Sequence, residues 1–182
     1  MKNKQLKLGI DIGRVIIAPG DDNADTSFLR GSIRDALNTP SYPGAFDAIR
    51  LLVSHFESRV WLVSKAGPTT QEKTRLWLEH YGFYQATGVH RENLRFCRKR
   101  HEKALHCEEL GLTHFIDDRL DVLRHLRFIT NHLYLFGDQK PGIIPPAWVN
   151  LSPDWNTVLQ LIVTNDINGK RQCNSSTKMI NS

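Results

Sequence analysis

The feature that most constrains the fold of this chain is a short apolar stretch near its start that leads directly into an aspartate. Leu6, Leu8 and Ile10 alternate with polar or small residues, which predicts a strand. Asp11 follows at once, and Gly13 permits a sharp turn with a close approach of the backbone to a bound group. At the end of a strand in an open α/β sheet, Asp11 would lie where such folds bind ligands. Taken alone, an aspartate here more often only caps a turn.

Strands and helices alternate along the rest of the chain. Further strands are predicted at 59–63, 94–97, 113–116 and 133–136, the last of these being the final strand. Helices are predicted at 27–37, 46–56, 69–81, 101–109, 120–128 and 155–163. The third of these helices is expected to open with a capping box, Thr69-Thr70-Gln71-Glu72. This alternation predicts an α/β fold in which a parallel sheet carries helices on both faces.

Size and composition favour a globular protein with a single domain. We expect one domain over residues 1–164 of the 182, followed by a disordered polar tail at 165–182. The net charge of +5 suits an anionic ligand but is too diffuse to establish nucleic-acid binding. The sequence shows neither a secretory h-region nor an apolar run of ~18 residues that could span a membrane. Its 3 irregularly spaced cysteines favour reduced thiols and a cytoplasmic location.

Several chemically capable residues are predicted to meet at one edge of the sheet. The carboxyl ends of parallel strands share an edge, and Asp11, Ser64 and the pair Asp117-Asp118 all lie at such ends. Carboxylate and carbonyl oxygens suit Mg²⁺, and an ammonium group from Lys103 or Lys99 would face the same site. Such a site can neutralise a phosphate group while a free carboxylate attacks phosphorus. Asp121 is expected to be a solvated residue of the helix that follows.

In this order, the motifs resemble the haloacid dehalogenase-like hydrolase superfamily over residues 6–137. They are an apolar strand ending in Asp11-x-Gly-x-Val, a strand ending in Ser64, then Lys103, then Ile116-Asp117-Asp118. The resemblance implies a phosphatase in which Asp11 is the nucleophile and forms an aspartyl-phosphate. It also implies that Ser64 hydrogen-bonds the transferring phosphoryl group and that Lys103 holds nucleophile and phosphate in place. Lys103 is preferred because it lies on the predicted helix, with Lys99 as the alternative.

The same resemblance implies the ligands of a magnesium ion. Asp11, Asp117 and Asp118 would supply carboxylates, and the carbonyl of Gly13 would supply a further oxygen. Lys65, next to Ser64, is expected to help bind the substrate. That substrate would be phosphorylated and could be macromolecular.

Gly13 departs from the pattern of this superfamily. Its phosphatases typically carry there a second aspartate that protonates the leaving group and then activates water. General acid–base assistance is worth about 10²–10⁴-fold in rate. Arg14 cannot replace that residue, because a guanidinium does not release its proton near neutral pH. An aspartate from the run at 21–25 could reach in, or a substrate with a good leaving group could need no acid.

Three interpretations of the activity therefore stay open. The first is a Mg²⁺-dependent phosphoester hydrolase with unusual or reduced proton transfer. The second is a catalytically impaired phosphate- or nucleic-acid-binding module on the same fold, favoured by Gly13 and by the basic residues of 91–103. The third, ranked lower, is a phosphonatase-like or dehalogenase-like reaction. No recognisable nucleic-acid-binding module supports the nucleic-acid alternative, and the sequence does not predict an oligomeric state.

The segments between the motifs are too short for a separate cap domain. Only about 25 residues lie between the first strand and the helix that follows Pro43-Gly44, fewer than a separate folded domain needs. The chain is therefore expected to lack a sizeable cap. In this superfamily, open sites tend to accompany large substrates or a partner chain that closes the site.

Overall fold

The protein is described by a computed structural model that covers residues 5–19, 29, 31–139, 141–142 and 144–164. The acidic run at 21–25 and the predicted tail at 165–182 lie outside these residues. In the part described, no helix is both long and apolar enough to cross a membrane.

A six-stranded parallel sheet forms the centre of the fold. Its strands are β1 (Leu8–Ile10), β2 (Val60–Lys65), β3 (Leu94–Cys97), β4 (His114–Asp117), β5 (His132–Phe136) and β6 (Asn150–Ser152). They pair in the order β3-β2-β1-β4-β5-β6, and every neighbouring pair is parallel. The predicted parallel α/β sheet is thus confirmed. β1 lies near the middle of the sheet, so the aspartate that follows it is central on the carboxyl edge.

Helices cover both faces of this sheet, as the sequence predicts. They are α1 (Ile33–Leu37), α2 (Ala45–His55), α3 (Pro68–His80), α4 (Phe83–Thr87), α5 (Lys103–Leu110), α6 (Leu120–Leu126) and α7, residues 155–164. Ile49 of α2, Trp77 of α3 and Val158 of α7 are buried in one core cluster. Cys107 of α5 and Leu123 of α6 belong to a second cluster on the opposite face. No cap domain is seen between these elements in the part of the chain that the structure describes.

Three local predictions from sequence are wrong or incomplete. α3 begins at Pro68 with Gly67 as its N-cap and has no side-chain cap, so Thr69 does not open a capping box. Proline suits the first helical position because its fixed φ is helical and its missing N–H would have no partner there. The structure also adds α4, five residues long, and β6, three residues long, so β5 is not the final strand. Elements this short show no usable hydrophobic periodicity.

Gly9, in the middle of β1, provides a test of the packing around the central strand. A Cβ atom at this position would lie 2.6 Å from Cδ1 of Leu112 and still closer to the ring of Phe115. Both neighbours are buried, so Gly9→Ala is expected to destabilise the fold by about 2 kcal/mol, within the usual range for overpacking. Urea unfolding measures this change. Gly67→Ala is the control, because a Cβ there meets nothing within 4 Å and should cost below about 1 kcal/mol.

Candidate active site

Two carboxylates meet at the carboxyl edge of the sheet because of the register between β1 and β4. Ile10 lies opposite Ile116 in this parallel pair, so the next residues, Asp11 and Asp117, are neighbours. The backbone N–H of Asp11 donates to the carbonyl of Ile116 at 2.9 Å and fixes this alignment. Both carboxylates are buried, Asp11 with 8% of its surface exposed and Asp117 with none. Uncompensated negative charge in such a place would be costly.

Lys103, the first residue of α5, lies between these two carboxylates. Its Nζ atom is 2.7 Å from Oδ1 of Asp11 and 2.7 Å from Oδ2 of Asp117. Burial alone would lower the pKa of Lys103, but the charges and hydrogen bonds of the two carboxylates outweigh it and raise the pKa. Lys103 is therefore a permanently charged ammonium group at neutral pH. Lys99 is exposed, so Lys103 is the lysine that the structure places in the cluster.

The acidic pair at the end of β4 holds its negative charge at a cost. Burial raises the pKa of Asp117 to about 8, against the opposing charge of Lys103. Burial likewise raises the pKa of Asp118 to about 7, reinforced by the charge of Asp11 and opposed by Arg14. Nε of Arg14 lies 3.3 Å from Oδ2 of Asp118. The raised pKa values mean that each carboxyl gives up its proton only with difficulty here, so a further positive charge at this place would stabilise the ionised forms.

The three carboxylates are close enough to share one ion. Asp11, Asp117 and Asp118 each offer an oxygen, and these oxygens lie within 4.8 Å of one another. A set made only of oxygens, with no histidine or thiolate, fits a hard divalent cation. Gly13, whose carbonyl is the fourth ligand expected from sequence, is buried in the loop directly after Asp11. The donor set therefore fits the cation expected from sequence.

Ser64 and Lys65 lie on the same edge but are not part of the ion-paired cluster. Ser64 is buried in β2, the strand next to β1, and Lys65 is the exposed last residue of that strand. Among the described residues, neither side chain hydrogen-bonds or ion-pairs with Asp11 or Lys103. Lys65 is open to solvent at this edge, whereas Ser64 keeps only 2% of its surface exposed.

The loop after β1 brings a residue into the site whose position the sequence did not predict. Arg14 has a φ of 62°, a left-handed conformation that costs a non-glycine residue roughly 1–2 kcal/mol. Its N–H donates to the carbonyl of Ile17 at 2.8 Å, and indole Nε1 of Trp155 donates to the carbonyl of Val15 at 3.0 Å. These contacts hold the loop in the conformation that allows Arg14 to pair with Asp118. No sequence motif signals this pairing.

Gln139, after β5, is a second residue that sequence patterns did not reveal. Its Nε2 donates to the carbonyls of Phe136 and Gly137, at 3.1 and 3.2 Å, and more weakly to that of Asp118, at 3.4 Å. The side chain thereby ties the loop after β5 to the acidic pair after β4. This loop forms a wall of the site.

Two clefts open beside Arg14 and Asp118. One has a volume of about 580 Å³ and is lined further by Arg119, Leu120, Asp121, Arg124, Asp138, Gln139, Gly142 and Ile144. The other, of about 520 Å³, is lined further by Pro19, Tyr42, Phe136, Gly137, Asp138, Gln139 and Pro141. Both clefts border Arg14 and Asp118, and neither is lined by Asp11, Lys103 or Asp117.

The thiols near the site are not nucleophiles. Burial raises the pKa of Cys97 to about 11 and that of Cys107 to about 12, and each is a free cysteine. A thiolate is the reactive form, and almost none forms near neutral pH at such values. Asp11 is therefore the better candidate for a nucleophile at this edge.

Comparisons with known proteins support the fold. No protein-family model and no curated protein matches the chain. Among solved structures, a haloacid dehalogenase-like family hydrolase from Xanthomonas campestris matches with a TM-score of 0.61. The two chains are 13% identical, and the match covers 93% of this chain and 100% of the other. At this identity the likeness establishes the fold alone, so the chain has a haloacid dehalogenase-like α/β fold.

Lys103 provides a test of the buried charge cluster. Lys103→Met keeps the length of the side chain but leaves the carboxylates of Asp11 and Asp117 without their counter-charge. Breaking a buried ion pair in this way typically destabilises a protein by about 3–5 kcal/mol, and we expect a loss of that size in urea unfolding. Lys99→Met is the matched control, because the exposed Lys99 should contribute less than about 0.5 kcal/mol. Equal stability of the two variants would contradict the charge balance described above.

Proposed function

We propose that the protein is a Mg²⁺-dependent phosphoester hydrolase that uses Asp11 as a covalent nucleophile. The observation that carries the proposal is the position of Lys103, 2.7 Å from a carboxylate oxygen of both Asp11 and Asp117. The cluster of Asp11, Asp117 and Asp118 lies beside this lysine, and its carboxylate oxygens are close enough to bind one ion. The haloacid dehalogenase-like fold, shared with a protein described as a hydrolase, agrees with this chemistry.

In the proposed reaction, a carboxylate oxygen of Asp11 attacks the phosphorus atom of the substrate. The bond from phosphorus to the ester oxygen breaks, the leaving oxygen takes up a proton from water, and an aspartyl-phosphate is formed. Water then cleaves this acyl phosphate, which releases inorganic phosphate and regenerates Asp11. Lys103 orients the nucleophile and offsets the charge of the phosphoryl group. Ser64 would donate its hydroxyl to a phosphoryl oxygen, and the exposed Lys65 would attract the anion to the edge.

A magnesium ion would be held by Asp11, Asp117 and Asp118, with the carbonyl of Gly13 as a further ligand. When bound, it supplies positive charge that reduces the repulsion between an anionic nucleophile and an anionic substrate. The raised pKa values of Asp117 and Asp118 express the same need for a cation at this place.

Gly13 shapes the substrate range of the proposed enzyme. A glycine cannot protonate the leaving group, so this chain favours esters whose leaving groups are stable as anions. Alternatively, an acidic residue from outside the described part of the chain, such as one of the run 21–25, supplies the proton. Without such a donor, turnover of simple alkyl phosphates is expected to be slow.

The central test is the isosteric variant Asp11→Asn, assayed with para-nitrophenyl phosphate and Mg²⁺. An amide is a poor nucleophile, so we expect a loss of at least ~10³-fold in kcat, as for other removed catalytic groups. Asp47→Asn, which alters an exposed carboxylate on α2, should retain native activity. Equal activity of native protein and Asp11→Asn would exclude the covalent mechanism.

Gly13→Asp tests the missing proton donor. If the rest of the apparatus is intact, an added carboxylic acid should raise kcat for a poor leaving group such as glycerol by about 10²-fold or more. It should change the rate for para-nitrophenyl phosphate little, since that leaving group departs without a proton. Gly13→Asn adds a similar side chain without the acid and is the control. A gain shared by Asp and Asn would point to packing, and no gain in an active native enzyme would place the donor elsewhere.

A second candidate function is a phosphate- or nucleic-acid-binding module with little turnover, and Gly13 is the observation that favours it. The basic residues of 91–103 agree with an anionic partner, and Arg98 and Lys99 are exposed. This alternative expects Mg²⁺-dependent binding of inorganic phosphate by calorimetry with no hydrolysis of any ester, and no gain of activity in Gly13→Asp.

A further inference from the structure

The larger cleft beside the acidic pair, of about 580 Å³, is rich in arginine. Arg14 reaches it from the loop after β1, Arg119 lies just before α6, and Arg124 lies in the last turn of α6. Arg100 also acts on this region. Burial alone would raise the pKa of Asp121, but the hydrogen bond from Arg119 and the charges of Arg119 and Arg100 lower it.

Most of the carboxylates of this cleft already have a positively charged partner. Nε of Arg119 lies 3.0 Å from Oδ1 of Asp121, and its second contact makes the pair bidentate. Asp118 is paired with Arg14. Arg124 differs, because it is exposed and forms no ion pair with any residue in the part of the chain that the structure describes.

The lining of the cleft carries three arginines and three aspartates, so its formal charge balances. Two of the aspartates are paired with Arg14 and Arg119, and the third, Asp138, is exposed. Arg124 is thus the arginine of this lining that no carboxylate of the described residues contacts. A divalent cation held by Asp118 would also replace Arg14 as the partner that neutralises this carboxylate. Arg14 and Arg124 would then face the same space with a surplus of positive charge.

We propose that this cleft binds a second anionic group of the substrate, carried by its leaving group. Arginine suits this task because its planar guanidinium donates two parallel hydrogen bonds to a phosphate or a carboxylate. The cleft borders Asp118, so a phosphoryl group held at the acidic cluster directs the rest of the molecule towards Arg124. The preferred substrate is thus a phosphoester with a further phosphate or carboxylate. This inference rests on the proposed hydrolase activity and adds the substrate class.

Two series of linear probes of increasing length test the inference with the full chain and Mg²⁺. Diol bisphosphates are compared with the monophosphates of the same diols. The rate measured for each bisphosphate is divided by two, because a bisphosphate has two equivalent ends. Phosphorylated hydroxy acids form the second series and distinguish a carboxylate from a phosphate. At the best length, we expect kcat/KM for the probes with a second anionic group to exceed that for the monophosphate by about 10-fold or more, as charge-assisted hydrogen bonds allow.

Arg124→Gln tests the residue itself. It should remove most of that preference and leave para-nitrophenyl phosphate, which has no second anion, at the native rate. Arg50→Gln removes the same charge from an exposed site on α2 and should keep the preference. A preference that is absent at every length, or that survives in Arg124→Gln, would overturn the inference.

The outcome also separates this inference from the proposed function. Hydrolysis of para-nitrophenyl phosphate without any preference for a second anion would support the hydrolase activity and contradict the binding of an anion in the cleft. If no ester is hydrolysed, calorimetry with the bisphosphates decides. Binding that Arg124→Gln weakens about 10-fold supports the cleft although the hydrolase fails, and binding that is absent or unchanged removes both.

Discussion

The ammonium group of Lys103, buried between the carboxylates of Asp11 and Asp117, is the interaction on which the site depends. The register of β1 and β4 brings the two aspartates together, and α5 begins at the point that delivers the lysine to them. Removing three charges from water is expensive, and apolar side chains of similar volume would stabilise the fold at least as well. The cluster is therefore better explained by chemistry that needs a fixed charge than by folding. Through it, Lys103 would also hold Asp11, the proposed nucleophile, in a fixed position before any substrate arrives.

The charge balance around this lysine accounts for the rest of the edge. Asp118 adds a third carboxylate that Lys103 does not contact, and Arg14 provides its counter-charge from a strained left-handed position. Strain of this kind persists only where surrounding contacts hold it, here the hydrogen bond between Trp155 and Val15. In the proposed site, a metal bound at Asp118 would replace Arg14 as the partner of this carboxylate. Such an exchange would couple metal binding to the charge of the neighbouring cleft.

The sequence predicted those parts of the fold that depend on local pattern. The segment Leu94–Cys97 is a strand with the predicted ends. The carboxyl ends of the parallel strands also share one edge, as expected. The features that the sequence did not predict depend on contacts between residues far apart in the chain. The pairing of Trp155 with Val15 spans 140 positions, and no pattern near either residue signals it. β6 has only three residues, so its pairing with β5 is determined by tertiary packing and not by periodicity. The arginine cleft was missed for the same reason, because its walls come from the loops after β1, β4 and β5 and from α6.

At an open edge, substrate selection depends on the residues that line the clefts beside it. In the part of the chain that the structure describes, no cap covers this edge, and the side chain of Asp118 keeps 12% of its surface exposed. These residues do not enclose a substrate in apolar surface. Charge is the discriminating property that still works at an open surface, because a bidentate arginine contact keeps its direction in water. The absence of an acid at Gly13 leads to the same conclusion. A leaving group that departs without a proton must carry its own stabilisation, and a nearby anionic group held by Arg124 would fix its orientation at the moment the ester bond breaks.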